Sequence, residues 1–335
     1  MPSIRIATFN CENLMMRCDF RAAGVARARE RLTEVDSPIV AEHVDSVFNV
    51  LSEDDRTLTA QALVETGADV CALQEVENLV TLTAFDMRYV AEWAGRPFGE
   101  RVLIEGNDTR GIDVGLLSRF PVVFQRSHAH WTYGALNITP PKNQSVNDNA
   151  LRRDCLEVDV KKDGRALTLF ICHFKSMHGG RGVTQPIREA EAKAVREIIG
   201  RRFDRPEEEE WIILGDFNDY CDVDGTPVDS GLGPLLDDGF AIDLSAMAVA
   251  DPFDRWTHHY PEDDTYGALD HMLLSPKLAA ANKHADVTIV RSGAPFRAAR
   301  YEGFRYPGIG WHTPKASDHC PLAVTIQFEG RAVSD

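Results

Sequence analysis

The chain has 335 residues, 44% of them hydrophobic, with 52 acidic side chains against 36 Lys and Arg and a formal net charge of -16. Such a molecule repels polyanions as a whole, which excludes a nucleic-acid coat or tether, and no run approaches the roughly 20 apolar residues of a membrane span. Seven cysteines without a CxxC pair point to a reducing compartment, and MPSIRIATFN lacks a basic, apolar leader, so a cytoplasmic monomer without a membrane span is expected.

The first strand-like segment, IRIATFN, ends at Asn10 and is followed by Glu12 and Asn13. Residues 15–50 read as an irregular insertion. Residues 56–66, RTLTAQALVET, put Leu58, Ala62 and Leu63 on one helical face before Gly67 stops the helix. DVCALQEV is a strand carrying Glu75, and IDVGLLS is another. Residues 128–150, with a Pro pair and repeated Asn, read as a second insertion and a long surface loop, of a length that is usually functional or disordered. CLEVDV and LTLFICHF flank KKDGR as a hairpin, the second ending at His173 and Lys175. A helix is expected over 186–202, with Pro first, Ala190, Ala194, Ile198 and Ile199 inside, and arginines late, where the helix dipole favours them. WIILGDFND carries Asp216 and Asn218, LDHMLLS opens with Asp270, and SDH at 317–319 opens the closing strand PLAVTIQF. No repeat or linker divides the chain, so one α/β domain over 1–335 is expected, with mixed sheets and helices outside.

Taken singly, each polar residue has an ordinary reading. Asn10 suits a turn, Glu75 a helix N-terminus, His173 a satisfied core site, DFND an Asx turn and SDH a strand cap. Jointly, they end apolar strands, and α/β sheets bind ligands at strand ends. Glu75, Asp216, Asn10, Asn218 and Asp318 offer hard oxygens that suit Mg²⁺ or Mn²⁺, whereas zinc sites more often cluster His and Cys.

In that order along nearly the whole chain, TFNCENL, ALQEVEN, GIDVGLLSRFPV, CHFKS, ILGDFND, LDHMLLS and SDHCPL resemble the endonuclease/exonuclease/phosphatase superfamily of metal-dependent phosphoesterases. The resemblance implies a four-layer α/β sandwich, with two packed mixed β-sheets flanked by helices and a site at one edge. It implies Glu75 as principal metal ligand, with Asn10 beside it and Asp318 contributing. Asp216 would orient or deprotonate the attacking water, and Asn218 would hold that water or a phosphate oxygen. His319, fixed by Asp270, would contact the scissile phosphate, and His173 would stabilise or protonate the leaving oxygen. The chain departs from the nuclease pattern at Arg110-Gly111-Ile112-Asp113, where relatives place a phosphate-binding tyrosine. Arg110 or Arg153 would replace it, with Lys175 a further substrate contact, while Asp113 either orients His173 or serves a turn.

The implied activity is divalent-metal-dependent hydrolysis of a phosphodiester by a nuclease or nucleotide phosphodiesterase. The alternative is a phosphatase or phospholipase C-like hydrolase of small or lipid phosphoesters. Residues 296–312 interleave Arg297, Arg300 and Arg305 with Tyr301, Tyr306 and Trp311. They read either as a stacking platform for a short or single-stranded nucleic acid or as a packed surface loop.

Overall fold

The computed structural model describes residues 1–15 and 53–333. Apart from Met15, the expected insertion near 15–50 lies outside the described residues. Two large sheets carry the fold. The first, in the order β15-β16-β1-β2-β4-β3, is built from β1 (Ser3–Leu14), β2 (Val70–Val76), β3 (Glu100–Leu103), β4 (Asp113–Ser118), β15 (Val287–Ile289) and β16 (Leu322–Gln327). The second, in the order β11-β14-β8-β7-β6-β5, comprises β5 (Val122–Arg126), β6 (Cys155–Lys162), β7 (Arg165–His173), β8 (Trp211–Asp216), β11 (Ile242–Asp243) and β14 (Asp270–Leu274), with β17 (Arg331–Ala332) paired to the start of β7. Each has one parallel pair at its centre, β1 with β2 and β7 with β8, and antiparallel partners outside it. Two small hairpins, β9 (Asp222–Val223) with β10 (Thr226–Pro227) and β12 (His258–Tyr260) with β13 (Thr265–Gly267), stand off the sheets.

Alternation decides the layering. Ile4, Ile6, Val70 and Leu116 of the first sheet meet Leu169, Ile171, Ile212 and Leu214 of the second in a core where all eight are at most 1% exposed. Each such burial contributes about 1.5–3 kcal/mol. The outer face of the first sheet, through Phe9 and Leu73, packs on α1 (Glu53–Glu65) and α2 (Leu79–Phe85), which contribute Leu58, Leu63, Leu82 and Phe85. The outer face of the second, through Phe170 and Ile213, packs on α3 (Arg181–Arg202) by Ala194, Val195 and Ile198. The result is the expected four layers, helix, sheet, sheet, helix.

The KKDGR turn is a two-residue hairpin with Asp163 at φ +51 and Gly164 at φ +73, the left-handed pair that matches strand twist. One expectation is corrected and another refined. Helix α3 begins at Arg181 and carries Pro186 inside it, because Arg181 and Arg188 both bind the buried Asp219, at 2.8 and 2.9 Å, and tie the first turns to the loop after β8. Residues 128–150 are irregular and about half exposed, a surface loop as expected, but one anchored by buried side chains. His128, Tyr133, Leu136 and Ala150 are buried there, and His128 Nε2 lies 3.0 Å from Glu157. All six described cysteines are free, and no described helix is long and apolar enough to cross a membrane.

Candidate active site at the open end of the sandwich

Inward-facing positions along each central strand are apolar until the last. Ile212 and Leu214 precede Asp216, Leu169 and Ile171 precede His173, and Met272 and Leu274 follow Asp270, while Ile4 and Ile6 lead to Thr8 and Asn10. Side chains alternate with period two, so the polar members fall on the inner face at one end. Register then aligns them: His173 is paired with Asp216, and Asp216 with Asp270, across three neighbouring strands. Gly215 permits this closeness, since a Cβ on its backbone, at φ +147, would sit 1.9 Å from the Cys172 carbonyl oxygen.

Glu75 arrives by another device. The pairings of β2 with both neighbours shift register around it, and it adopts φ +63, a left-handed conformation that costs a non-glycine residue about 1–3 kcal/mol. The bulge places the carboxylate at the cavity mouth, where the Asn13 amide donates to Oε2 at 2.9 Å and Oε1 lies 3.9 Å from His173 Nε2. Asn218, at φ +49, likewise turns back, so that its amide N–H bonds Asp216 Oδ1 at 2.8 Å.

Asp216 is the hub. Its Oδ2 accepts from Asn10 Nδ2 and Asn218 Nδ2, both at 2.9 Å, and lies 3.4 Å from His173 Nε2 and 3.8 Å from His319 Nε2. Burial pushes its carboxyl up; His319 and the amide donors pull it down, Asp270 adds to the rise, and it settles at about 7. His319 Nδ1 lies 2.7 Å from Asp270 Oδ2. Burial disfavours its charge, but Asp270, Asp216 and Asp318 together outweigh burial and hold the imidazolium well above its usual range. His173 goes the other way: burial first, then Arg153, His319 and Arg110, hold it well below.

These groups line a cavity of about 340 Å³ with Asn10, Glu75, Arg110, Arg153, His173, Asp216, Asn218, Asp318 and His319 on its walls. Asp270 stands behind His319. Lys175 is corrected: its ammonium bonds the hydroxyl of Ser176 at 3.1 Å and is not on the cavity wall. Of the two readings of Asp113 the turn holds: its Oδ1 accepts from the Gly106 amide at 2.8 Å, and His173 Nδ1 is buried without a partner. The loop at 296–312 is packed internally. Arg305 bonds the carbonyls of Ala294 and Ala298, at 3.1 and 2.9 Å, Arg300 pairs with Asp224, and the Tyr306 hydroxyl donates to Glu65. Trp311 alone of the three named aromatics there is exposed.

Sequence reasoning missed three contributors. Asp108 binds both Arg153, at 2.8 Å, and Arg110, at 3.1 Å, and seats them at the cavity. Glu191, buried on α3, accepts from the backbone amides of Arg152 and Lys175 at 2.9 and 2.7 Å, which fixes the two chain segments that carry Arg153 and His173. His258 lines the cavity from the β12 hairpin. An Asp two residues before an Arg and a double His in a polar turn were the available signals, and both are common without function.

A buried carboxylate cradled by two amides and flanked by two histidines of opposite charge preference, at the end of an α/β sandwich, defines a phosphoesterase-type site. A family model described as the Endonuclease/Exonuclease/phosphatase family matches residues 46–319, and the chain belongs to that family. Its members are hydrolytic phosphoesterases that typically use divalent metals. The fold is similar to truncated TDP2 of Caenorhabditis elegans (14% identity, 97% of each chain covered, TM-score 0.54). It is also similar to SmcL (15%, 97% of this chain and 99% of that one, 0.56) and to a family protein of Leptotrichia buccalis (16%, 97% and 100%, 0.54). No curated protein matches the sequence.

Proposed function

We propose that the protein is a divalent-metal-dependent phosphodiester hydrolase, a nuclease or nucleotide phosphodiesterase, in which water attacks phosphorus in line with the leaving oxygen. The alignment of His173, Asp216 and Asp270 in one row opposite Asn10 and Glu75 carries this reading. The donors fit a hard ion: Glu75 turns Oε1 to the cavity while Oε2 is held by a backbone amide, and carboxylate and amide oxygens suit Mg²⁺ or Mn²⁺. Glu75 and Asn10 would hold it, with Asp318 a further oxygen on the wall. When bound, the ion neutralises charge that develops on the phosphate.

The chain's own groups do the rest. Asp216, with a carboxyl near 7, takes the proton of the attacking water, a task for which a pKa close to the working pH is suited. Asn218 orients that water or a phosphate oxygen. His319, kept cationic by Asp270, contacts the non-bridging oxygens, Arg110 and Arg153 steady the phosphate, and His173 faces the departing oxygen.

Among the described residues, the internal engagement of Arg300 and Arg305 leaves no long cationic track, which favours a compact substrate: a short or single strand, a nucleotide, or the small or lipid phosphoester of the second reading. Turnover should be compared on bis-p-nitrophenyl phosphate, p-nitrophenyl phosphate, single- and double-stranded DNA, RNA and sphingomyelin, each with Mg²⁺, Mn²⁺ or EDTA. Diesters are expected to exceed monoesters, and EDTA to abolish both. Full turnover in EDTA would overturn the metal reading, and a strong monoester preference the diesterase.

A further inference from the structure

One residue on the cavity wall, His258, is not used by the proposed reaction. His258, in strand β12, forms an isolated antiparallel bridge with His319, and the two rings lie 4.7 Å apart, edge to face. The bridge uses only backbone, so it requires no histidine at 258. The side chain nevertheless points Nε2 at Asp318, 3.8 Å from Oδ2, and its ring packs on Tyr260 at 4.4 Å. His258, Asp318 and His319 each offer a ligand atom, and these atoms lie within 4.8 Å of one another.

We propose that His258, Asp318 and His319 form a second cation site, specific for a divalent first-row transition ion. Two imidazoles and one carboxylate are the donor set of zinc and non-haem ferrous centres, while Mg²⁺ prefers oxygens throughout. The Glu75 and Asn10 corner has the opposite character, so one cavity would carry two corners of different hardness. The outer contacts fit at His319, while His258 Nδ1 is buried without a partner. A metal-binding histidine almost always gives its other ring nitrogen to a carboxylate or carbonyl, and His319 Nδ1 is already at 2.7 Å from Asp270 while Nε2 faces the cavity. The backbone of His319 is fixed by the Ser317 hydroxyl at 3.0 Å, which in turn donates to the Asn10 carbonyl at 2.7 Å. Ligand atoms around a tetrahedral ion are roughly 3.3 Å apart, given metal–ligand bonds of about 2.0–2.1 Å. The ligand atoms here, within 4.8 Å of one another, stand wider than that, so an ion would draw them together.

The site has a consequence if His319 Nε2 contacts phosphate, as the proposed function holds. An ion seated there occupies the same nitrogen, so a transition ion would inhibit the Mg²⁺-supported reaction. That consequence rests on the functional reading; the binding site itself does not.

Cobalt tests the two separately, since four-coordinate Co²⁺ absorbs visible light far more strongly than six-coordinate Co²⁺. Metal-stripped protein titrated with Co²⁺ is expected to give an intense visible band that saturates at one equivalent and is removed by Zn²⁺. The band should survive in Glu75→Gln and be lost in both His258→Phe and Asp318→Asn, each checked for an unchanged melting profile. His258→Phe keeps a ring against Tyr260, and Asp318→Asn covers the case in which the first variant misfolds. A band retained in His258→Phe, a band lost in Glu75→Gln, or no intense band in the parent overturns the site. Zn²⁺ should then suppress Mg²⁺-supported diester hydrolysis with the midpoint at which it displaces Co²⁺. A midpoint more than tenfold away would overturn the inhibitory role and leave the site in place.

Discussion

The two sides of the cavity use the same residue type in opposite ways. On the His319 side, three carboxylates surround the ring and one of them, Asp270, bonds Nδ1 at 2.7 Å. On the His173 side, Nδ1 is buried with no partner, and Arg153 and Arg110 supply positive charge. Both rings reach Asp216 Oδ2, at 3.8 and 3.4 Å, so burial and the hub are shared and only the neighbours differ. Charge state in this site is set by what stands behind each ring, which is how one pair of histidines divides into a cationic ring and a neutral one.

The largest effect tests the shared hub. Asp216→Asn keeps the shape between the two sides but removes the proton acceptor, and should lower kcat by roughly 10²–10⁴-fold with metal affinity nearly unchanged by calorimetry; Glu75→Gln should weaken metal binding instead. The opposite calorimetric pattern would reverse those roles. Next, Asp270→Asn should make the His319 side resemble the His173 side. Asp270→Asn and His319→Ala should each cost about 10²-fold, and the double variant little more than the worse single, since groups acting as a unit are non-additive. Losses that simply add in log rate would separate the pair. On the other side, His173→Ala should cost less with an aryl leaving group than with an alkyl one; equal losses would deny it a role in leaving-group departure.

The smallest effect is on stability. His319 has a raised folded pKa, so its contribution is fully present below about pH 6.5, the unfolded value, and is lost as pH rises through the folded one. His173 has a lowered one. Below about pH 6.5 the unfolded chain takes up a proton that the folded chain refuses, and stability falls with pH. Urea unfolding of metal-free protein between pH 5 and 8 should therefore lose its acid-side slope in His173→Asn and keep it in His319→Asn. The same slope in both variants would erase the contrast.

What was legible in the sequence follows from this geometry. Asp216, His173, Asp270 and Asn10 could be read because each interrupts an apolar alternation at its end, a pattern that survives in one dimension. Glu75 was legible by motif, but the bulge that aims it depends on both neighbours of β2. The short edge strand Glu100–Leu103, with two charges in four residues, has no periodic signal. Helix α3 started early through Asp219, a contact made from thirty or more residues away in the chain. Arg300 and Arg305 stayed open between a nucleic-acid platform and a packed loop because sequence cannot say whether a guanidinium meets solvent or the carbonyls of its own loop. Lys175 failed for a similar reason: a residue can sit beside a catalytic one in the chain and have its polar atoms claimed elsewhere.

The pairing of Ser3 with Gln327 carries a consequence for how the protein comes into being. Strand β1 brings Asn10 and is made long before its neighbour β16, which follows His319 closely in the chain. Contacts of such sequence separation form slowly, and until β16 docks, β1 has a bare edge and the cavity lacks one of its histidines. Whatever the folding state of the middle of the chain, the cavity has its full set of walls only once that late pairing brings His319 beside Asp216.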